Sequence, residues 1–93
     1  NMHPLILYDA NKPGDLETCE AFGAEILKLC VEVGGCLTGE HGVGIEKRDL
    51  MAHQYGADDL SAQMDVKDVF DPKWLLNPAK VFPLDVSGTR RAA

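Results

Sequence analysis

Leu5-Ile6-Leu7-Tyr8-Asp9-Ala10-Asn11-Lys12-Pro13-Gly14, leading into the stretch from Asp15 to Val33, decides the fold class of this chain. The first four residues form a short apolar run with β-preferring members. The next six are turn formers, so the segment reads as a strand followed by a loop. Asp15 then reads as a helix N-cap, with Glu17 and Glu20 near the positive end of the helix. Between Leu16 and Val33 the apolar side chains Cys19, Phe22, Ile26, Leu29, Cys30 and Val33 recur at helical spacing, which predicts one long helix with a buried face. Gly34-Gly35 stops it.

Working outward, Cys36-Leu37-Thr38 reads as a second short extended piece that enters a glycine loop. A short helix is expected over Glu46 to Tyr55, closed by Gly56. Another is expected from Asp58 or Asp59 to Val69, ended by Asp71-Pro72 because the residue before proline avoids helical angles. Lys73-Trp74-Leu75-Leu76 reads as one helical turn, Asn77 to Pro83 as an extended tail, and the chain from Ser87 as frayed. Strand, long helix, strand and helices make an α+β pattern with few strands. Two strands alone are marginal in water. The remaining sheet is therefore expected upstream of Asn1, and the chain is expected to be a piece of a longer protein.

Composition excludes several function classes. Nine Lys and Arg against fifteen Asp and Glu give a net charge of −6 over 93 residues. Such a surface does not seek nucleic acid or anionic lipid. Three cysteines without CxxC spacing argue against a disulfide framework or a zinc knuckle and fit a reducing compartment. No apolar run approaches the roughly 20 residues that span a bilayer.

The chemistry-bearing residues gather in Thr38-Gly39-Glu40-His41-Gly42-Val43-Gly44. Three glycines let this segment turn sharply, and neighbours in an extended segment point to opposite sides. Glu40 and His41 could thus serve two targets. By itself His3, near a strand end, reads as structural or merely exposed; paired with Glu40 it would give an imidazole and a carboxylate, two of the three protein ligands of a site suited to Zn²⁺, Mn²⁺ or Fe²⁺. His41 is either an acid–base group or a cap for the glycine loop. The residues leave both readings open. Lys47 and Arg48 read as solvated helix residues. Trp74 and Phe82 are anchors in a tail and need something to pack against.

Gly34-Gly35-Cys36-Leu37-Thr38-Gly39-Glu40-His41-Gly42-Val43-Gly44-Ile45-Glu46-Lys47-Arg48 resembles the C-terminal region of FAD-linked oxidases of the vanillyl-alcohol oxidase superfamily. That superfamily includes D-lactate dehydrogenases, D-2-hydroxyglutarate dehydrogenases and the FAD-linked subunit of glycolate oxidase. Asn1-Met2-His3 resembles the end of their Gly-Asp-Gly-Asn-x-His motif, and Phe70-Asp71-Pro72 with Leu76-Asn77-Pro78-Ala79-Lys80 their closing motif. Ala79 stands where the family usually has glycine, which a turn that tolerates a β-carbon would accept. Asp65 and Asp68 stand where relatives often carry basic residues.

The resemblance implies a fragment of a ferredoxin-like cap domain over residues 1–56, a helix and tail over 57–83 returning to a flavin domain, and a disordered terminus over 84–93. It implies His41 as the group that takes the substrate hydroxyl proton, His3 and Glu40 as metal ligands, and Asn77 and Lys80 as residues near the cofactor. The cofactor would be FAD, held mainly by an N-terminal part of the protein, with a divalent metal (Zn, Mn or Fe) beside the substrate. The substrate would be a small 2-hydroxy acid such as glycolate or D-lactate. Other oxidase subunits would be partners, and the location cytoplasmic, peripheral to the inner membrane where those subunits dock. This chain alone would be inactive. Two rival readings remain at this level: a non-enzymatic module that self-associates, and a small metal-binding domain.

Overall fold

The computed structural model describes residues 4–87 of the chain. Its elements are α1 (Asp15–Glu32), a 3₁₀ turn (Arg48–Leu50), α2 (Met51–Gln54) and α3 (Ala57–Phe70). Residues 84–87 are also helical, and Ser87 is buried.

Helix α1 begins one residue earlier than an Asp15 cap predicts. Gly14 is the N-cap, in the left-handed region at φ 82°, and Asp15 is the first helical residue. The Asp15 carboxylate reaches back to accept a hydrogen bond from the Asp9 backbone N–H at 2.7 Å, so it braces the entry loop instead of capping the helix. Thr18 Oγ1 donates to the Gly14 carbonyl at 2.9 Å. The other end closes as the two glycines require. Gly34 takes φ 95°, its N–H donates to the Val31 carbonyl, and the Gly35 N–H donates to Cys30 at 2.7 Å. This is a Schellman closure. A β-carbon at Gly35 would sit 2.8 Å from the Cys30 carbonyl oxygen, so each glycine has its own reason to be there.

The two predicted strands are not formed among the described residues. Residues 4–9 carry no regular secondary structure. The strand periodicity is nonetheless visible. Ile6 lies over α1, 3.8 Å from where a β-carbon on Gly23 would be, while Leu5 and Leu7 are exposed. A strand needs a neighbour for its backbone N–H and C=O groups, and no such ladder exists among the described residues. Cys36-Leu37-Thr38 is likewise irregular, but Leu37 is fully buried and its N–H donates to Gln54 Oε1 at 2.9 Å. The helix expected over Glu46–Tyr55 is shorter, because residues 44–47 form turns before the 3₁₀ segment begins. Gly56, not Asp58 or Asp59, is the N-cap of α3. Asp71-Pro72 does end that helix. The turn expected at Lys73–Leu76 lies two residues earlier: the Trp74 N–H donates to the Asp71 carbonyl at 2.9 Å, making a β-turn over 71–74.

The core is one cluster of Leu37, Met51, Leu60, Met64, Trp74 and Phe82, with Leu27, Val31, Val43, Leu50 and Tyr55 packed against it. It draws on both sides of position 56. Trp74 and Phe82 therefore find their partners within this chain.

Helix α1 does not present the predicted face to that core. Leu27 and Val31 do so, whereas Phe22, Leu29 and Val33, from the predicted apolar stripe, are exposed. At about 100° per residue these two sets lie on nearly opposite sides of the helix. Helix α3 repeats the pattern, with Leu60 and Met64 inward and Val66, Val69 and Phe70 exposed. Both helices thus keep a second apolar side exposed. The surface area agrees. The chain exposes 6963 Å², against about 5,300 Å² for a compact protein of its mass. No helix among the described residues is long and apolar enough to cross a membrane.

Candidate active site

The glycine loop is closed by Thr38, whose Oγ1 accepts a hydrogen bond from the Gly42 N–H at 2.8 Å. Gly42 and Gly44 take φ 84° and 55°, so both glycines are needed for the turn. Thr38 thus does the bracing that a capping histidine would have done. Glu40 and His41 project from the loop into solvent, with His41 Nε2 3.9 Å from Glu40 Oε2 and side-chain exposures of 89% and 57%. An exposed pair of this kind adds little to stability. His3, the remaining member of the expected set, lies outside the described residues.

The tail lies against this loop. The Val81 N–H donates to the Gly44 carbonyl at 2.8 Å, and Arg48 Nη1 donates to the Ala79 carbonyl at 2.6 Å. Asn77 and Lys80, adjacent to these contacts, are joined by a hydrogen bond from Lys80 Nζ to Asn77 Oδ1 at 3.2 Å. Both line an open cavity of about 310 Å³ together with Lys67, Phe70, Asp71 and Leu76. The tail is conformationally costly. Trp74, Asn77, Ala79 and Val81 all have positive φ, at 54°, 47°, 63° and 73°. Such clusters of strained backbone occur where the surroundings fix a functional geometry.

Ala79 is a correction to the sequence reading. Its turn is left-handed and disfavours a β-carbon. Ala79→Gly is expected to stabilise the protein by about 1 kcal/mol, the cost of holding an L-residue there. The midpoint of urea unfolding would show it, and an unchanged or lower midpoint would refute it.

Asp71 organises the tail from the end of α3. Its carboxylate accepts from Lys67 Nζ at 2.8 Å and from the Leu75 and Leu76 N–H groups, each at 3.0 Å. Lys67 also donates to the Leu76 carbonyl and lies 5.1 Å from the centre of the Trp74 ring. The Lys67 ammonium hydrogen bond, opposed by desolvation and helped by the Leu76 and Leu75 N–H groups, holds the Asp71 carboxyl below its usual range. A lowered folded-state value means stabilisation that is complete above the unfolded value of about 3.9 and is lost as pH falls through the folded one. The advantage of the wild type over Asp71→Asn in urea midpoint should therefore be present at pH 7 and shrink below about pH 4. An advantage that did not change with pH would sink this account.

Sequence reasoning passed over Lys67 and Asp71 as a pair, though their i,i+4 spacing signals one. It also misplaced Arg48, which is largely buried and bonded, not solvated. No local pattern reveals a contact with residue 79. Among the described residues no three His, Cys, Asp or Glu side chains are grouped to hold a metal ion. Cys19, Cys30 and Cys36 are free thiols.

A glycine loop presenting an exposed carboxylate and imidazole, with a strained tail tied against it, is the arrangement whose residues carried the family resemblance. Residues 1–81 match the family described as FAD linked oxidases, C-terminal domain. The chain belongs to that family. It is 53% identical over 83 residues to the glycolate oxidase subunit GlcD of Escherichia coli K12, covering 89% of this chain and 17% of that protein. It is 36% identical over 85 residues to the GlcD subunit of Bacillus subtilis 168, covering 91% of this chain and 18% of the relative. The mitochondrial D-lactate dehydrogenase [cytochrome] of Kluyveromyces lactis is also 36% identical over 85 residues, covering 91% of this chain and 14% of the relative. The chain thus spans under a fifth of the length of these relatives.

Proposed function

We propose that the full-length protein is an FAD-dependent oxidoreductase that oxidises a small 2-hydroxy acid, glycolate or D-lactate, and that this chain supplies its acid–base group. The observation that carries this reading is the exposed Glu40–His41 pair. The glycine loop presents it, and Thr38 already does the loop's structural work.

FAD, when bound, supplies the acceptor for the two electrons and the C2 hydrogen of the substrate. The imidazole of His41 takes the hydroxyl proton as the carbonyl of the 2-oxo product forms. The Glu40 carboxylate lies 3.9 Å from Nε2 of that ring. Glu40 would also be the carboxylate donor to a divalent ion shared with His3. The described residues do not group three donors, so no step is routed through a metal. Asn77 and Lys80 line the open cavity beside the strained tail and would meet the flavin.

On this reading residues 1–56 end a ferredoxin-like cap, and the uncovered faces of α1 and α3 pack against the rest of the protein. Residues 57–83 return to the flavin domain. Residence in the cytoplasm, with docking to other oxidase subunits at the inner membrane, belongs to the same proposal. The isolated chain would be inactive and would bind no flavin.

Anaerobic mixing of the full-length protein with glycolate or D-lactate tests the reading. Bleaching of a bound flavin absorbance is expected. A protein that holds FAD and is bleached by no small 2-hydroxy acid, or that holds no FAD, would overturn it. The exposed apolar side chains Phe22, Leu29 and Val33 favour a second reading, a self-associating module. A monomeric full-length protein by light scattering would count against it.

A further inference from the structure

We propose that Arg48 is a positioning residue, which fixes the left-handed turn at Ala79 and so sets Asn77 and Lys80 against the glycine loop. The inference rests on the functional reading above for what Asn77 and Lys80 meet, but not for the clamp itself. Three observations carry it. Arg48 Nη1 donates to the Ala79 carbonyl at 2.6 Å across 31 residues of sequence. The Arg48 side chain is 19% exposed, and its buried Nε makes no hydrogen bond, lying 3.8 Å from Asp49 Oδ1. A guanidinium held this way loses water and gains one backbone oxygen, an arrangement that fixes that oxygen's place more than it adds to stability. The oxygen it fixes belongs to an alanine at φ 63°, inside a run where Asn77 and Val81 are also left-handed.

A second tie, from the Val81 N–H to the Gly44 carbonyl at 2.8 Å, holds the chain two residues beyond that turn. Arg48 and the Val81 tie thus clamp the segment from both sides. Relaxing Ala79 toward ordinary angles would swing residues 77 and 80 relative to the loop that bears Glu40 and His41.

The test uses the full-length protein with Arg48→Met, Arg48→Lys, and Arg48→Met combined with Ala79→Gly. Arg48→Met should raise the FAD dissociation constant about tenfold and shift the flavin absorption bands, with the KM for the hydroxy acid within about twofold of wild type. Glycine takes the left-handed turn without a clamp, so Ala79→Gly in the Arg48→Met background should recover most of the flavin affinity. Arg48→Lys, which keeps a donor, should lie between. Flavin affinity and bands unchanged in Arg48→Met would overturn the proposal, whatever happens to the melting temperature. So would an equal loss with and without Ala79→Gly. If Arg48→Met does not fold, the Arg48→Lys series reads the same comparison. If the wild type takes up no FAD, the functional reading has failed on its own. The clamp is then read from amide exchange at Val81, expected to quicken about tenfold in Arg48→Met, and unchanged exchange would refute it.

Discussion

Replacing His41 by alanine in the full-length protein is expected to lower turnover on its 2-hydroxy acid by roughly 10²–10⁴-fold, the range for losing a positioned acid–base group. The structure makes this a clean experiment. His41 is 89% exposed, and its ring lies 3.9 Å from an exposed carboxylate, Glu40. The loop that bears it is held by Thr38, Gly42 and the tie from Val81 to Gly44. The substitution should therefore leave the unfolding midpoint within about 0.5 kcal/mol of wild type. The loss should fall on kcat and on the rate of flavin bleaching, with the flavin still bound. Turnover near that of the wild type would remove His41 from the mechanism. A large fall in stability would show that the loop depends on the ring in a way the geometry does not account for.

Trp74→Ala carries the second large expectation, a destabilisation of about 3–5 kcal/mol, the usual cost of deleting a buried large aromatic. That is comparable with the whole stability of a small unit, about 5 kcal/mol at the low end. Trp74 is 4% exposed and sits in the core cluster between α3 and the tail. Its ring meets Phe82 at 5.9 Å with a 51° tilt, a pairing worth about 0.5–1.5 kcal/mol beyond burial. Lys67 Nζ lies over the same ring, and the indole N–H donates to Asp68. Trp74→Phe separates these contributions, since it keeps the ring pair and removes the N–H. About 1.5–3 kcal/mol should be lost there, the range for a hydrogen bond to a charged group. Urea unfolding followed by circular dichroism reads both variants. A loss under about 1 kcal/mol for the alanine variant would mean that the tail does not hold the core together.

The sequence was most legible where local chemistry is sufficient. Helix α1, its glycine stop and the end of α3 at Asp71-Pro72 all follow from side chains within a few residues of one another. The sharp glycine turn around Glu40 and His41 was legible too, but an extended reading set the two side chains on opposite sides, and they lie 3.9 Å apart. The reading failed where a partner lies far along the chain. Leu5–Tyr8 has the alternation of a strand but no neighbour to bond. Arg48 looks solvated until the Ala79 carbonyl is brought to it. Ala79 looks like a harmless replacement for glycine until its φ is known. Trp74 and Phe82 called for a partner, and the core of this same chain supplied it.

By itself the amino-acid order determined the family, the long helix and the residues able to do chemistry, because spacing and side-chain type are local properties. Only the tertiary structure decided which face of α1 is covered, which backbone turns left-handed, and that residues 44–48 and 79–81 are tied together. Those outcomes depend on which distant groups satisfy one another's hydrogen bonds and buried area. Periodicity shows that an apolar face must be covered, but not by what.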